Sequence, residues 1–296
     1  MASEPWMAGP PARIMLATDL SPRCDRALDR SVQLARQWGA ELVALTAVEQ
    51  ATHMPDQTLE WMGEPGERAA ADVARRVLAR ELRRHRDLHT SIELAPGPVI
   101  PAIQERSRAL GCPLVVTGVA RDEPFGRMLT GTTTEALARS GPPMLLVVRE
   151  RPHDGYHSIL VATDFSDASK HALLAAMRLF PESPVVLYHA YEPPFSGLAD
   201  RTARQSAART IAGRDGPAFL ARCGLSPQEH ERVKIVVEAG PIEMMAARYV
   251  RDHHIHLAVA GNRGASGIVD LLLGSSAAKL LQWIPCDLLL VRVPAS

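Results

Sequence analysis

The segment RIMLATDLS, residues 13–21, returns as SILVATDFS, residues 158–166. Three more pairs follow in the same order: APGPVIPAI (95–103) with EAGPIEMMA (238–246), VVTGVARDEPFGRMLTGTTTEAL (115–137) with AVAGNRGASGIVDLLLGSSAAKL (258–280), and PPMLLVVR (142–149) with PCDLLLVR (285–292). The first pair is offset by 145 residues and the other three by 143. Four landmarks in one order and nearly one register indicate a duplicated unit. Two domains are expected, residues 1–150 and 151–296. Their joint is ERPHDGYHS (150–158), a polar stretch with proline and glycine.

Each copy reads as alternating strands and helices. In the second, SILVAT, PVVLYHA, RVKIVVEA, IHLAVAG and DLLLVRV are short apolar runs, the pattern of strands buried on both faces. DASKHALLAAMRLF, PIEMMAARYVRDH and SSAAKLLQWI carry apolar residues at helical spacing, and the arginine- and alanine-rich stretch over roughly 195–224 reads as a further helix. Ser166 or Asp167 is the expected N-cap of the first helix. Strands separated by helices imply right-handed crossovers and a parallel sheet covered on both faces. Periodicity alone leaves the strand order open.

Charge balances at 33 basic and 33 acidic residues, so no bulk field draws the chain to nucleic acid or an anionic membrane. The basic run RRVLARELRRHR (75–86) reads as the solvated face of a helix. Nowhere do about twenty apolar residues run together, so no spanning helix is expected. MASEPWMAGPPARIML lacks the apolar core of a signal peptide. Cys24, Cys112, Cys223 and Cys286 form no C-x-x-C and read as reduced thiols. The expectation is a soluble, cytoplasmic protein.

Sheets of this kind bind ligands beyond the carboxyl ends of their strands, where the strand order reverses. In the second copy Asp164 follows the first strand, Gly261 and Gly264 follow the fourth, and Gly274-Ser275-Ser276 opens the last helix. Glycines permit positive φ and close backbone approach, and a helix start adds unpaired N–H donors. One exposed helix terminus stabilises an anion by only about 0.3–1 kcal/mol, against roughly 8 kcal/mol for micromolar binding. Several donors and a base pocket must therefore act together. The lysine of a Walker loop is missing, and ATDFS stands where a dinucleotide loop needs G-x-G-x-x-G. Spacing alone is equally well explained by a tight turn and a helix cap, with Ser275 as an N-cap hydroxyl and Asp164 as a helix-start residue.

Over effectively its whole length the chain resembles a tandem member of the universal stress protein family. That family's nucleotide signature, G-x2-G-x9-G-[ST], stands complete as Gly261, Gly264, Gly274 and Ser275. Its opening strand ending in Asp matches ILVATDFS, and its second strand matches VVLYHA. The resemblance implies two tandem Rossmann-like α/β domains, each a five-stranded parallel sheet of order 3-2-1-4-5 flanked by helices. It implies ATP as the bound cofactor, with Mg²⁺ left open. Asp164 would contact the ribose, and Ala162 and Ala190 would line the adenine site. Gly261 and Gly264 would accommodate ribose and phosphate, while Gly274, Ser275 and Ser276 would hold the phosphate tail.

The first copy departs from the signature. Gly118, Arg121, Gly131 and Thr132 occupy its positions, so arginine replaces the second glycine. Arg121 either blocks the pocket with its stem or pairs bidentately with a phosphate; crowding favours the block. Thr132 and Glu135 form T-x-x-E, a capping box, and Asp19 stays in place. Nucleotide binding is expected mainly in the second domain.

Other constellations are weaker. His253, His254 and His256 are close in sequence, but two fall at a helix end and one enters a strand, so no metal site is expected. His189 reads as a packing residue. No Ser/His/Asp order and no paired carboxylates mark a catalytic centre, and the tryptophans form no stacking ladder for single strands. The reading is an ATP-binding regulatory protein of the stress response, not an enzyme, with slow hydrolysis left open and its protein partner unnamed. The alternative is a nucleotide-independent scaffold. In it the duplication makes an internal pseudo-dimer, with MLLVVR and DLLLVR pairing across its axis as the resemblance suggests; a homodimer of chains stays open. An adenylating enzyme fits poorly, because ATDFSDAS lacks the glycines of an S-G-G-x-D-S loop.

Overall fold

The computed structural model describes residues 7–21, 24–48, 66–119, 121–122, 128–129, 132–192, 201–262 and 274–293. The chain divides into two compact units: Pro11–Val119 with Gly131–Pro152, and Met1–Pro10, Ala120–Thr130 with His153–Ser296.

The N-terminal unit runs β1 (Arg13–Ala17), α1 (Asp25–Trp38), β2 (Glu41–Val48), α2 (Gly66–Leu82), β3 (Thr90–Pro96), α3 (Val99–Ala109) and β4 (Leu114–Gly118). The chain then forms a two-residue antiparallel ribbon, β5 (Arg121–Asp122) with β6 (Met128–Leu129), which groups with the other unit, before α4 (Thr132–Ser140) and β7 (Met144–Val148) complete the N-terminal one. β1 lies between β2 and β4, with β3 outside β2 and β7 outside β4, every pairing parallel.

The C-terminal unit runs β8 (Ile159–Ala162), α5 (Asp167–Leu179), β9 (Val185–Tyr191), α6 (Arg201–Cys223), α7 (Pro227–Glu231) and β10 (Val233–Ala239). It continues with α8 (Ile242–Asp252), β11 (Leu257–Asn262), α9 (Ser275–Trp283) and β12 (Asp287–Arg292). β8 lies between β9 and β11, with β10 outside β9 and β12 outside β11, again all parallel. Both α/β Rossmann-like regions expected from the repeat are present. The picture of parallel strands alone was incomplete, because it had no place for the β5–β6 ribbon.

Burial explains the apolar runs. All four residues of β8 are buried, as are Leu257–Ala260 of β11, since helices cover both faces of the sheet. α5 turns Ala172, Leu173, Ala175 and Ala176 wholly inward against β8, β11 and β12. The alanines let helix and sheet approach closely, and each fully buried leucine contributes about 1.5–3 kcal/mol. Short α7 was missed by periodicity, being too brief to show one. Its signal was local: Ser226 and Glu229 form a complete capping box with proline at the helix start.

The repeated T-D-x-S segment builds one turn twice. Thr18 and Thr163 accept the N–H groups of Leu20 and Phe165 on their hydroxyls at 3.0 and 2.8 Å. Asp19 and Asp164 accept the N–H groups of Ser21 and Ser166 on Oδ1 at 2.9 and 3.1 Å. These bonds hold Leu20 and Phe165 at φ 62 and 61, a left-handed conformation costly for such side chains unless the surroundings enforce it. The turn aims the carboxyl end of β1 or β8 into the first helix of its unit.

The polar joint of the sequence contains an anchor. Tyr156 is buried, its hydroxyl donates to Oδ2 of Asp287 at 2.6 Å, and its carbonyl accepts from the Ser183 hydroxyl at 2.6 Å. All four cysteines are free thiols. Among the described residues no helix is long and apolar enough to cross a membrane.

Candidate functional site

A cavity of about 390 Å³ opens in the C-terminal unit at the carboxyl ends of β8, β9 and β11. That volume lies in the range of small-molecule sites. The location follows from the topology: the chain leaves β8 for β9 on one side and returns from β10 to β11 on the other, which parts the connections above β8. Of the expected site residues, Ala162, Asp164, Ala190, Gly261, Gly274, Ser275 and Ser276 all line it. Gly264 lies outside the described residues.

The last helix supplies donors. Gly274, not Ser275, is the N-cap of α9, and it makes no side-chain cap. The first intrahelical bond is from Ala278 N–H to Gly274 carbonyl at 2.9 Å. The N–H groups of Ser275, Ser276 and Ala277 therefore stay unused by the helix, and both serine hydroxyls are exposed. The capping role weighed for Ser275 is thus corrected: its hydroxyl sits one residue too late to cap. Gly274 N–H points to Oδ1 of the buried Asn262 at 3.5 Å, which ties the helix start to the end of β11. Asn262 was not singled out in the sequence.

Asp164 does hold the helix start. Its Oδ1 accepts both the N–H and the hydroxyl of Ser166, and Ser166 caps α5 by accepting Ser169 N–H at 3.4 Å. Burial pushes the Asp164 carboxyl up, but the Ser166 hydroxyl and amide, with Ser169, outweigh it and leave the group below its ordinary value.

The glycines differ in purpose. Gly261 has no positive φ, and a Cβ there would overlap the carbonyl of Ala168 in α5. Its glycine is demanded by helix-on-strand packing, a purpose the sequence reading had not given it beside its place in the cavity lining. Gly274 has open space around its missing Cβ. Among the described cavity glycines only Gly240 has a positive φ, +143, and sequence reading passed over it although Gly97 repeats it in the first copy.

His189 also lines the cavity. Its Nδ1 meets the Thr163 carbonyl at 2.7 Å, and its ring lies 4.7 Å from that of Phe165. A carbonyl only accepts, so Nδ1 carries the proton and, in the neutral ring, Nε2 is left as acceptor. Glu192 and Lys279 complete the charged lining. Lys279 is ion-paired with Glu243 of α8 at 3.1 Å. The histidines of RDHHIHLAV do not converge. His253 stacks on Tyr249 at 3.9 Å, His256 lies near His157, and among the described residues no group of three or more His, Cys, Asp or Glu is placed to hold a metal.

The first copy carries threonines where the C-terminal unit has alanines. Thr134, where the C-terminal unit has Ala277, is buried and donates its hydroxyl to the Gly118 carbonyl at 3.3 Å. Thr117, where the C-terminal unit has Ala260, is buried beside it. α4 runs from Thr132, and Glu135 pairs with Arg139 at 3.5 Å; the Thr132 end of the expected capping box lies outside the described side chains. Arg121 stands in the β5 strand of the ribbon.

Solved structures share this architecture across the chain. A functionally unknown protein from Pseudomonas aeruginosa PAO1 is 17% identical, with 98% of this chain and 95% of that one covered at a TM-score of 0.65. A putative universal stress protein from Pseudomonas aeruginosa UCBPP-PA14 is 18% identical, covering 97% and 94% at 0.63. A universal stress protein from Archaeoglobus fulgidus DSM 4304 is 16% identical, covering 95% and 98% at 0.64. At these identities the likeness is one of fold. No curated protein sequence matches the chain. The profile of the Universal stress protein family matches twice, over residues 11–149 and 155–292, and on both repeats the chain belongs to that family.

Proposed function

We propose that the C-terminal unit binds an adenine nucleotide, ATP foremost, and that the protein uses it as a regulatory ligand. The observation that carries this reading is convergence: residues from four separated stretches, 162–164, 190, 261 and 274–276, line one cavity at the reversal of strand order. Three helix-start amides and two exposed hydroxyls on its wall suit a phosphate tail, while Ala162 and Ala190 leave room for a flat base. The two threonines that crowd the first copy support unequal repeats. Family membership favours a regulator over an enzyme. Regulation then requires that nucleotide bind one conformational or partner-bound state better than the other.

Protein freed of small molecules and titrated calorimetrically with ATP is expected to take up one equivalent per chain. Gly264→Arg, which copies Arg121 of the first repeat, is expected to abolish uptake. No binding by the wild type would leave a nucleotide-independent scaffold as the standing reading. Two equal equivalents would refute the inequality of the repeats.

A further inference from the structure

Among the described residues lining the cavity, Lys279 is the one side chain with a permanent positive charge, set against the carboxylates of Asp164 and Glu192. A polyphosphate entering past those carboxylates meets repulsion unless a cation answers it. Lys279 lies four positions after Ser275 on α9, so the two share a helix face. Helical side chains lean toward the N-terminus, which brings the lysine stem back over the turn whose amides are unused.

The ammonium is held elsewhere. Nζ lies 3.1 Å from Oε2 of Glu243 at the start of α8, without the alignment of a hydrogen bond. Both side chains keep contact with solvent, at 42% and 21% exposure. The lysine is the more exposed end of the pair, and its stem is flexible enough to exchange partners. A phosphate carrying more charge than one carboxylate is the stronger partner. The pair also belongs to one unit only: 143 residues earlier the positions of Lys279 and Glu243 hold Ala136 and Ile100.

We propose that Lys279 is the specificity residue for the phosphate tail, exchanging Glu243 for the ligand's phosphate and so making the cavity prefer ATP over adenosine. This rests on the nucleotide reading above. The exchange also frees Glu243, which links occupancy of the cavity to the first turn of α8.

The test is calorimetric titration of the full chain with ATP and with adenosine, for wild type, Lys279→Ala and Glu243→Gln. Loss of Lys279 is expected to weaken ATP about tenfold, the scale of a hydrogen bond to a charged group, and to leave adenosine unchanged. Glu243→Gln is expected to tighten ATP, because the lysine no longer has to be won from a carboxylate, again with adenosine unchanged. Wild-type ATP affinity in both variants, or a parallel fall for ATP and adenosine, would overturn the role of Lys279 while leaving the nucleotide site standing. A wild type that binds neither ligand would overturn the site and this role together.

Discussion

The carbonyl of Ala168, in the first turn of α5, occupies the space that a Cβ on Gly261 would need. Gly261→Ala must push α5 off β11, and the expected cost is about 2 kcal/mol, the scale of overpacking a filled core. Denaturant unfolding of ligand-free protein measures it. Unchanged stability would return Gly261 to a ligand-facing role alone.

Gly274 is the opposite case. Its φ of −54 and ψ of 140 suit any residue, and nothing lies within 4 Å of where a Cβ would stand. Serine at an N-cap accepts an N–H two or three residues on, the donors that the phosphate reading needs. Gly274→Ser is therefore expected to raise stability by only a few tenths of a kcal/mol while weakening ATP severalfold. Thermal melts separate the effects: the ligand-free Tm should hold, and the rise on adding ATP should shrink.

Ala277→Thr tests the asymmetry of the repeats by importing the Thr134 side chain of the first. Its hydroxyl is expected to reach the Gly261 carbonyl as Thr134 reaches that of Gly118. ATP affinity should fall roughly tenfold, the scale of one added group in a fitted pocket. Titration with ATP decides it, and wild-type affinity would mean that the threonines of the first copy do not set the repeats apart.

Asp164 gives a pH dependence whose sign is set. Its carboxyl is depressed in the folded chain, so its stabilising share is fully present above the ordinary value of 3.8 and is lost as pH falls through the lower folded value. Asp164→Asn should therefore be less stable than wild type at pH 6, with the gap narrowing near pH 3. Unfolding curves at the two pH values check it, and a gap independent of pH would contradict the assignment.

Tyr156→Phe removes the hydroxyl that meets buried Asp287 at 2.6 Å. A buried carboxylate short of a donor is expected to cost about 2 kcal/mol, seen as a lower denaturation midpoint. A neutral substitution would show that water or another donor replaces the hydroxyl.

What the sequence alone determined is what neighbouring residues make among themselves. The T-D-x-S turn closes within four residues, the apolar runs declare strands buried on both faces, and the helix-start amides after Gly274 follow from the SSAAKLL pattern. The two matching copies carried this reading across the whole chain, and the glycine spacing pointed to the right end of the sheet. Tertiary structure decided everything that depends on residues far apart. Whether Gly261 needs its missing Cβ depends on Ala168, which α5 lays against β11. Whether Ser275 caps a helix depends on where α9 begins, and it begins with Gly274 as the N-cap. Lys279 meets Glu243 only because α8 and α9 lie side by side, and Thr134 reaches the Gly118 carbonyl only because β4 ends beneath it. Periodicity records which face of an element is buried, but not which atoms of another element arrive there; that is settled by packing, one contact at a time.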